Sequence, residues 1–469
     1  MDEIAAQLDR EVARAVAAWR SAAAALRRGG PEEGWNALEG ARRVSSRSTF
    51  LELTGRAPGI GADFGIAPSS PAAAPDALAL AMADWVRALT LERVLFADRV
   101  RIAAAWRAPS VVIEGLGERA AGAGRATPLE ARAALLAEAG DEPRRAWAEA
   151  LARGAGAVAD AARILVERRE EATRRLGAEG DPPLEIPVDP PDAALRVAGA
   201  LLERTSSMLE RAPSWDAAIG RAIARDAAAG WPARLGPRWL QELFAPTGLT
   251  EGLAIDLGPL PRALGASSFA RALARFGDAL ANASAPAAAP FSLAHPPVDL
   301  RRARRAALFG GLVADPVFCA RALGLGRGAA VDQARATARA LVVSLRLDAA
   351  RLRLEAGPGG HVLLMSARAR ADRFEEETAL ALGAPIPGAL AGVLPDLDGG
   401  AAARLAGALL AARDRRALVE RFDEDWFRNP QAAEAIRGED CVLPASPRVA
   451  AAELDAGLEE LGRALDALA

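Results

Sequence analysis

A chain with two histidines and two cysteines offers few places for chemistry, and here they lie far apart, at 295, 361, 319 and 441. His295 sits in AHPPVD, with Ser292 and Asp299 nearby. A serine nucleophile with a histidine base and an orienting aspartate is the reaction those three residue types could run. The G-x-S-x-G turn that exposes such a serine is missing, and GASSF (265–269) lacks the second glycine. A loop histidine is therefore the expectation. His361 follows GPGG (357–360) and reads as a turn neighbour. Cys319, in DPVFCARAL, reads as a core thiol. Cys441 follows Glu439 and Asp440, poor company for a nucleophilic thiolate. No two of these four residues share a helical spacing, so neither a metal nor a cofactor is expected. GIGADFG (59–65) puts Phe64 where a dinucleotide-binding loop needs glycine, and it reads as an ordinary loop. The acids 375–377 read as a solvated helix face, and Trp215, Trp231, Trp239 and Trp426 as core anchors.

The elements that must position these residues are helices. The 469 residues are dominated by Ala, Leu, Arg and Glu, all strong helix formers. Aromatic content is 4%, so an aliphatic core is expected. Lys and Tyr are absent, as a GC-rich genome would explain. Basic and acidic residues, 58 and 61, are interspersed along the chain, leaving a net charge of −3. The run RRARR (301–305) is too short to argue for nucleic acid and reads as a solvated helix face. The first residues, MDEIAAQLDR, lack the basic start and apolar run of a signal peptide. No apolar run approaches the ~20 residues of a membrane span. A soluble, cytoplasmic protein with no membrane partner is the expectation.

Apolar spacing predicts helices over 1–28 and 76–107, over 142–176 with Gly154 and Gly156 as weak points, and over 299–323 as one element. TPLE (127–130) predicts a helix start, with Thr127 and Glu130 closing a capping box around Pro128. Strand candidates are confined to VVIEGL (111–116) and HVLLMS (361–366). GAEGDPPLEIPVDPPD (177–192) cannot continue a helix. It divides the chain into an N-terminal helical lobe, 1–180, and a C-terminal helical lobe, 190–469.

In SSFARALARFGDALA (267–281), Phe269, Leu273, Phe276 and Leu280 form one buried helical stripe, and Gly277 lets a neighbouring helix approach closely. Positions 274 and 278 lie one turn apart on another face. Histidines there could hold zinc, with a glutamate at 275 polarising its water. This frame resembles the helical zinc oligopeptidases, of the thimet oligopeptidase and carboxypeptidase Taq kind. VERREEATRRLG (166–177), AALFGGLVADPVF (306–318), SLRLDAARLRLE (344–355) and FDEDWFRNPQAAEAIRG (422–438) resemble further segments of that family in the same order, over roughly 165–440. The resemblance implies an all-α, two-lobed body enclosing a peptide channel.

The metal chemistry is missing from the frame. Ala274 cannot bind a metal, and Arg275 cannot act as a base because guanidinium stays protonated. Asp278 has no ligand partner at 274, and Asp299 is the sole acid in DLRRARRAALFGG (299–311). Arg275 and Asp278 are expected to pair with each other instead. The resemblance thus implies a catalytically inactive homologue that binds peptide or a partner protein in the former channel. Arg271, Arg275, Asp278, Arg301 and Arg302 are its expected lining, and 274 is expected to face a cavity that admits a larger side chain. Two other readings stay open: a structural helical scaffold or interaction protein unrelated to peptidases, and an enzyme of different mechanism using His295 or the acids.

Overall fold

The computed structural model describes residues 3–28, 38–55, 77–112, 124–137, 140–178, 181, 184–209, 212–222, 231, 235–257, 265–356, 366–394, 400–442 and 448–468. The loop at 59–65, His361 and nearly all of HVLLMS lie outside the described residues.

The described residues are mostly helical, as expected. Their helices are α1 (Glu3–Arg28), α2 (Arg47–Leu53), α3 (Ala77–Arg107), α4 (Pro128–Ala137), α5 (Asp141–Gly154), α6 (Gly156–Leu176), α7 (Pro191–Arg204), α8 (Trp215–Ala222) and α9 (Pro237–Phe244). They continue with α10 (Ala266–Ala283), α11 (Phe291–Ala294), α12 (Leu300–Gly310), α13 (Pro316–Ala322), α14 (Arg327–Ala356), α15 (Ala367–Leu382), α16 (Ala401–Phe422), α17 (Pro430–Asp440) and α18 (Ala451–Asp466). Strand is minimal: Val111–Val112 runs antiparallel to Arg125–Ala126, and Val188–Asp189 runs parallel to Val449–Ala450.

Local chemistry explains where the helices stop. At α4 the capping box forms: the Thr127 backbone N–H donates to Glu130 Oε2 at 2.9 Å, and the Glu130 N–H donates to Thr127 Oγ1 at 3.1 Å. Those hydrogen bonds, from the Thr127 backbone first and its hydroxyl second, hold the Glu130 carboxyl below its ordinary value. The helical stretch 142–176 breaks at Ala155, between α5 and α6. A Cβ on Gly154 would lie 2.7 Å from Val111 Cα, so the strand residue needs a glycine there. The single helix expected over 299–323 is three pieces instead: α12, a 3₁₀ turn at Gly311–Ala314, and α13. Asp315 ends the turn and restarts the helix, accepting from the Val317 N–H at 2.8 Å, with Pro316 in the first helical turn.

The chain divides into two compact units, Met1–Arg107 with Asp160–Leu184 and Pro286–Val298, and Ala108–Ala159 with Glu185–Ala285 and Asp299–Ala469. In the first, Leu8, Val12 and Val16 of α1 pack with Met82, Trp85 and Leu89 of α3. The buried Asp9 carboxylate accepts the N–H groups of Phe291 at 2.7 Å and Ser292 at 2.8 Å, fixing α11 across a long sequence separation.

In the second unit, α10, α12, α16 and α18 pack in that order. Each step of the stack is a glycine against a backbone. A Cβ on Gly277 would lie 2.2 Å from the Arg305 carbonyl oxygen, one on Gly407 would lie 2.6 Å from Ala303 carbonyl carbon, and one on Gly457 would lie 2.5 Å from the Leu409 carbonyl oxygen. The core beside this stack is mostly aliphatic, as expected, with an aromatic group set into it. Phe276 stacks on Phe244 at 4.4 Å and meets Phe309 edge-on at 5.0 Å, while Phe269 contacts Trp231 at 4.6 Å and Trp239 at 5.0 Å.

Farther along, the buried Arg346 of α14 closes two helix ends at once. It donates to the Leu202 carbonyl and Thr205 hydroxyl at 2.5 Å, to the Ala381 carbonyl at 2.9 Å, and to the Leu380 carbonyl at 2.5 Å. Burial brings its pKa down to about 10, still well above neutral pH. The cation therefore faces the negative ends of α7 and α15.

The glycine stack yields a direct expectation. Gly277→Ala, Gly407→Ala and Gly457→Ala should each lose about 1–3 kcal/mol in urea unfolding through overpacking. Gly438→Ala, on a helix with open space around it, should be neutral or stabilising by up to about 1 kcal/mol. Equal effects at all four positions would contradict the packing described.

Candidate functional site

The frame helix α10 buries its predicted stripe, with Phe269, Leu273 and Phe276 fully inaccessible. Its other faces determine what chemistry is possible. Ala274 is half-buried against α12, where a Cβ on Gly310 would lie 3.2 Å from the Ala274 Cβ and 3.2 Å from the Ala270 carbonyl oxygen. On that side the position faces α12 at close approach. Arg275 and Arg271 are exposed.

Asp278 does not take Arg275 as its partner. Both of its oxygens receive the Arg302 guanidinium of α12, each at 2.7 Å. A bidentate fork from the packed neighbour outcompetes a solvent-exposed i, i+3 pair on geometry. Burial pulls the Arg302 pKa down, but the Asp278 hydrogen bond and charge, with Asp299 behind it, hold it above its ordinary value. Asp299 caps α12, accepting the Arg301 N–H at 3.0 Å, and its other oxygen takes the Arg301 guanidinium at 3.0 Å.

The run 301–305 is not a solvated face. Arg305 is 1% exposed. Its Nε reaches both Asp440 oxygens at 2.9 and 3.0 Å, one terminal nitrogen reaches Asp414 at 3.1 Å, and the other reaches Glu439 at 2.8 Å. Arg304 also forks onto Asp414 and lies 3.6 Å from Glu439. Burial alone would lower the Arg305 pKa, but Asp440, Asp414 and Glu439 together hold it above its usual value. The sequence showed the arginines but not these three acids. They lie over a hundred residues downstream, on α16 and α17, and their only sequence signal is that so dense a basic run needs acids somewhere. Of the acids at 375–377, Glu375 and Glu376 are exposed as expected, whereas Glu377 is buried and receives the Arg353 guanidinium at 2.7 and 3.2 Å.

His295 and Cys319 are engaged in structure. The His295 ring lies 5.2 Å from the Phe291 ring, and its carbonyl accepts from Trp85 Nε1 at 2.7 Å. Ser292 and His295 belong to the first unit and Asp299 to the second. Cys319 is fully buried, and burial, with Asp315 nearby, pushes its thiol up to about 12. Cys441 is exposed. Trp215 and Trp426 are buried, while Trp231 and Trp239 pack partly buried against the core. Among the described residues, no group of three or more His, Cys, Asp or Glu side chains could hold a metal ion.

The arginine–acid cluster forms one wall of a cleft of about 460 Å³ among α12, α16, α17 and α18. Leu418, Phe422, Ala435 and Ile436 belong to its apolar lining, with Leu410, Ala417 and Ala456. Arg413 of α16 reaches Glu453 of α18 at 3.0 Å along its edge. Comparison of the chain with protein-family models, curated proteins and solved structures finds no match. No described helix is long and apolar enough to cross a membrane.

Two substitutions on α10 test this arrangement. Phe276→Ala should cost about 3–5 kcal/mol, the usual loss for a buried aromatic. Ala274→His should cost about 1–3 kcal/mol by forcing α10 from α12. A melt of Ala274→His indistinguishable from wild type would mean that a cavity exists there after all.

Proposed function

We propose that this chain is a non-catalytic helical interaction protein that acts by binding peptide or a partner protein. The observation that carries this reading is the engagement of the chemistry-bearing side chains around α10 and α12. Asp278 is held by Arg302, Asp299 caps its own helix and binds Arg301, and Ala274 rests against Gly310. Derivation from an oligopeptidase frame remains part of the proposal through the segment order and the Gly277 packing. A binding channel at the former metal position would need room beside Ala274, so the geometry favours binding elsewhere on the helical scaffold.

The test is elemental analysis of purified protein with a peptidase assay on a quenched fluorescent peptide, before and after chelation. The expected result is no stoichiometric zinc and no cleavage above buffer. About one zinc per chain, lost on chelation together with hydrolysis, would overturn the proposal.

A further inference from the structure

The cleft among α12, α16, α17 and α18 carries six arginines, and five are neutralised by neighbours. Arg304 and Arg305 hold the acid cluster, Arg413 holds Glu453, Arg416 holds Glu420 at 2.6 Å, and Arg463 holds Glu460 at 2.6 Å. Arg421 differs. Among the described residues it has no carboxylate partner, and its guanidinium lies over the Phe422 ring, 4.8 Å from the centroid. The stacking restrains a long, flexible cation at the mouth of the cleft. Leu418 and Phe422 share its helix face, and Ala435 and Ile436 of α17 line the same cleft.

A second observation falls two residues on. Asp423 adopts φ 68° and ψ 177°, a region used almost only by glycine. The negative end of α16 accounts for an arginine in its last turn. It does not account for a non-glycine residue held in that conformation at the point where the cleft wall ends. At this residue the chain turns, the Trp426 N–H donating to the Asp423 carbonyl at 3.2 Å, and runs into the buried Trp426 and Phe427.

We infer that Arg421 is the anion-binding group of a site for an aliphatic carboxylate, its charge on the Arg421 fork and its hydrocarbon on Leu418, Phe422, Ala435 and Ile436. A carboxylate fits better than a phosphate, because Arg421 offers one positive charge while Glu459, the lining acid outside those five pairs, would repel a second negative charge. The ligand is either the C-terminus of a peptide or a small aliphatic acid. The inference rests on the proposed binding role and gives it a location and a ligand chemistry.

The experiment uses fluorescein-labelled tri-leucine with a free or an amidated C-terminus, titrated with the full chain and followed by anisotropy. The free acid should bind at least about tenfold more tightly than the amide. Arg421→Gln should remove that preference, while Arg238→Gln, on the exposed face of α9, should leave it intact. Asp423→Gly should raise the melting temperature and weaken binding. Competition by octanoate identifies a small aliphatic acid as sufficient, whereas binding of the peptide without such competition identifies a peptide C-terminus. Equal binding of acid and amide, an unchanged Arg421→Gln, or no binding up to about 1 mM would overturn the site. Cleavage of tri-leucine by the wild-type chain would instead contradict the non-catalytic reading.

Discussion

The Arg305 guanidinium, buried among Asp414, Glu439 and Asp440, is the interaction on which the second unit depends. Its backbone is also the surface against which Gly277 rests. One residue therefore joins α12 to α10 through its carbonyl and to α16 and α17 through its side chain. Exchanging a buried ion cluster for well-packed apolar residues is often neutral, so its net contribution to stability is modest. Removing one member is another matter, since it strands charges away from water. The cluster thus acts chiefly on which helices meet and in what register.

The same economy runs through the molecule. Without Lys, long-range polar contacts fall to Arg, whose planar fork can hold two oxygens or several carbonyls at once. Arg346 shows the carbonyl version, and Arg302 on Asp278 shows the carboxylate version. Glycine provides the complement, bringing alanine-rich helices to backbone contact where side chains have little volume to interlock. Beside that contact, aromatic side chains of α9, α10 and α12 meet one another.

The features legible in the sequence were those set by local chemistry. The capping box at Thr127, the break at Ala155, the buried stripe of α10 and the close approach at Gly277 all follow from residues within a few positions of one another. The fate of the charges was not legible. RRARR and the acids 375–377 are indistinguishable from solvated runs until their partners are known, and those partners are distant in sequence. For the same reason the sequence points to Arg275 as the partner of Asp278, because a local i, i+3 partner is visible there and Arg302 is not. The space beside Ala274 depended on Gly310, a glycine whose local sequence gives no hint that α10 lies against it.

The most direct measurement is urea unfolding of Arg305→Met against wild type. If α12 is the junction described, the variant should lose about 3–5 kcal/mol, because Asp440 is left buried without its guanidinium and Asp414 keeps only Arg304. A loss below about 1 kcal/mol would mean that water reaches those carboxylates and that the cluster does not hold α12, α16 and α17 together.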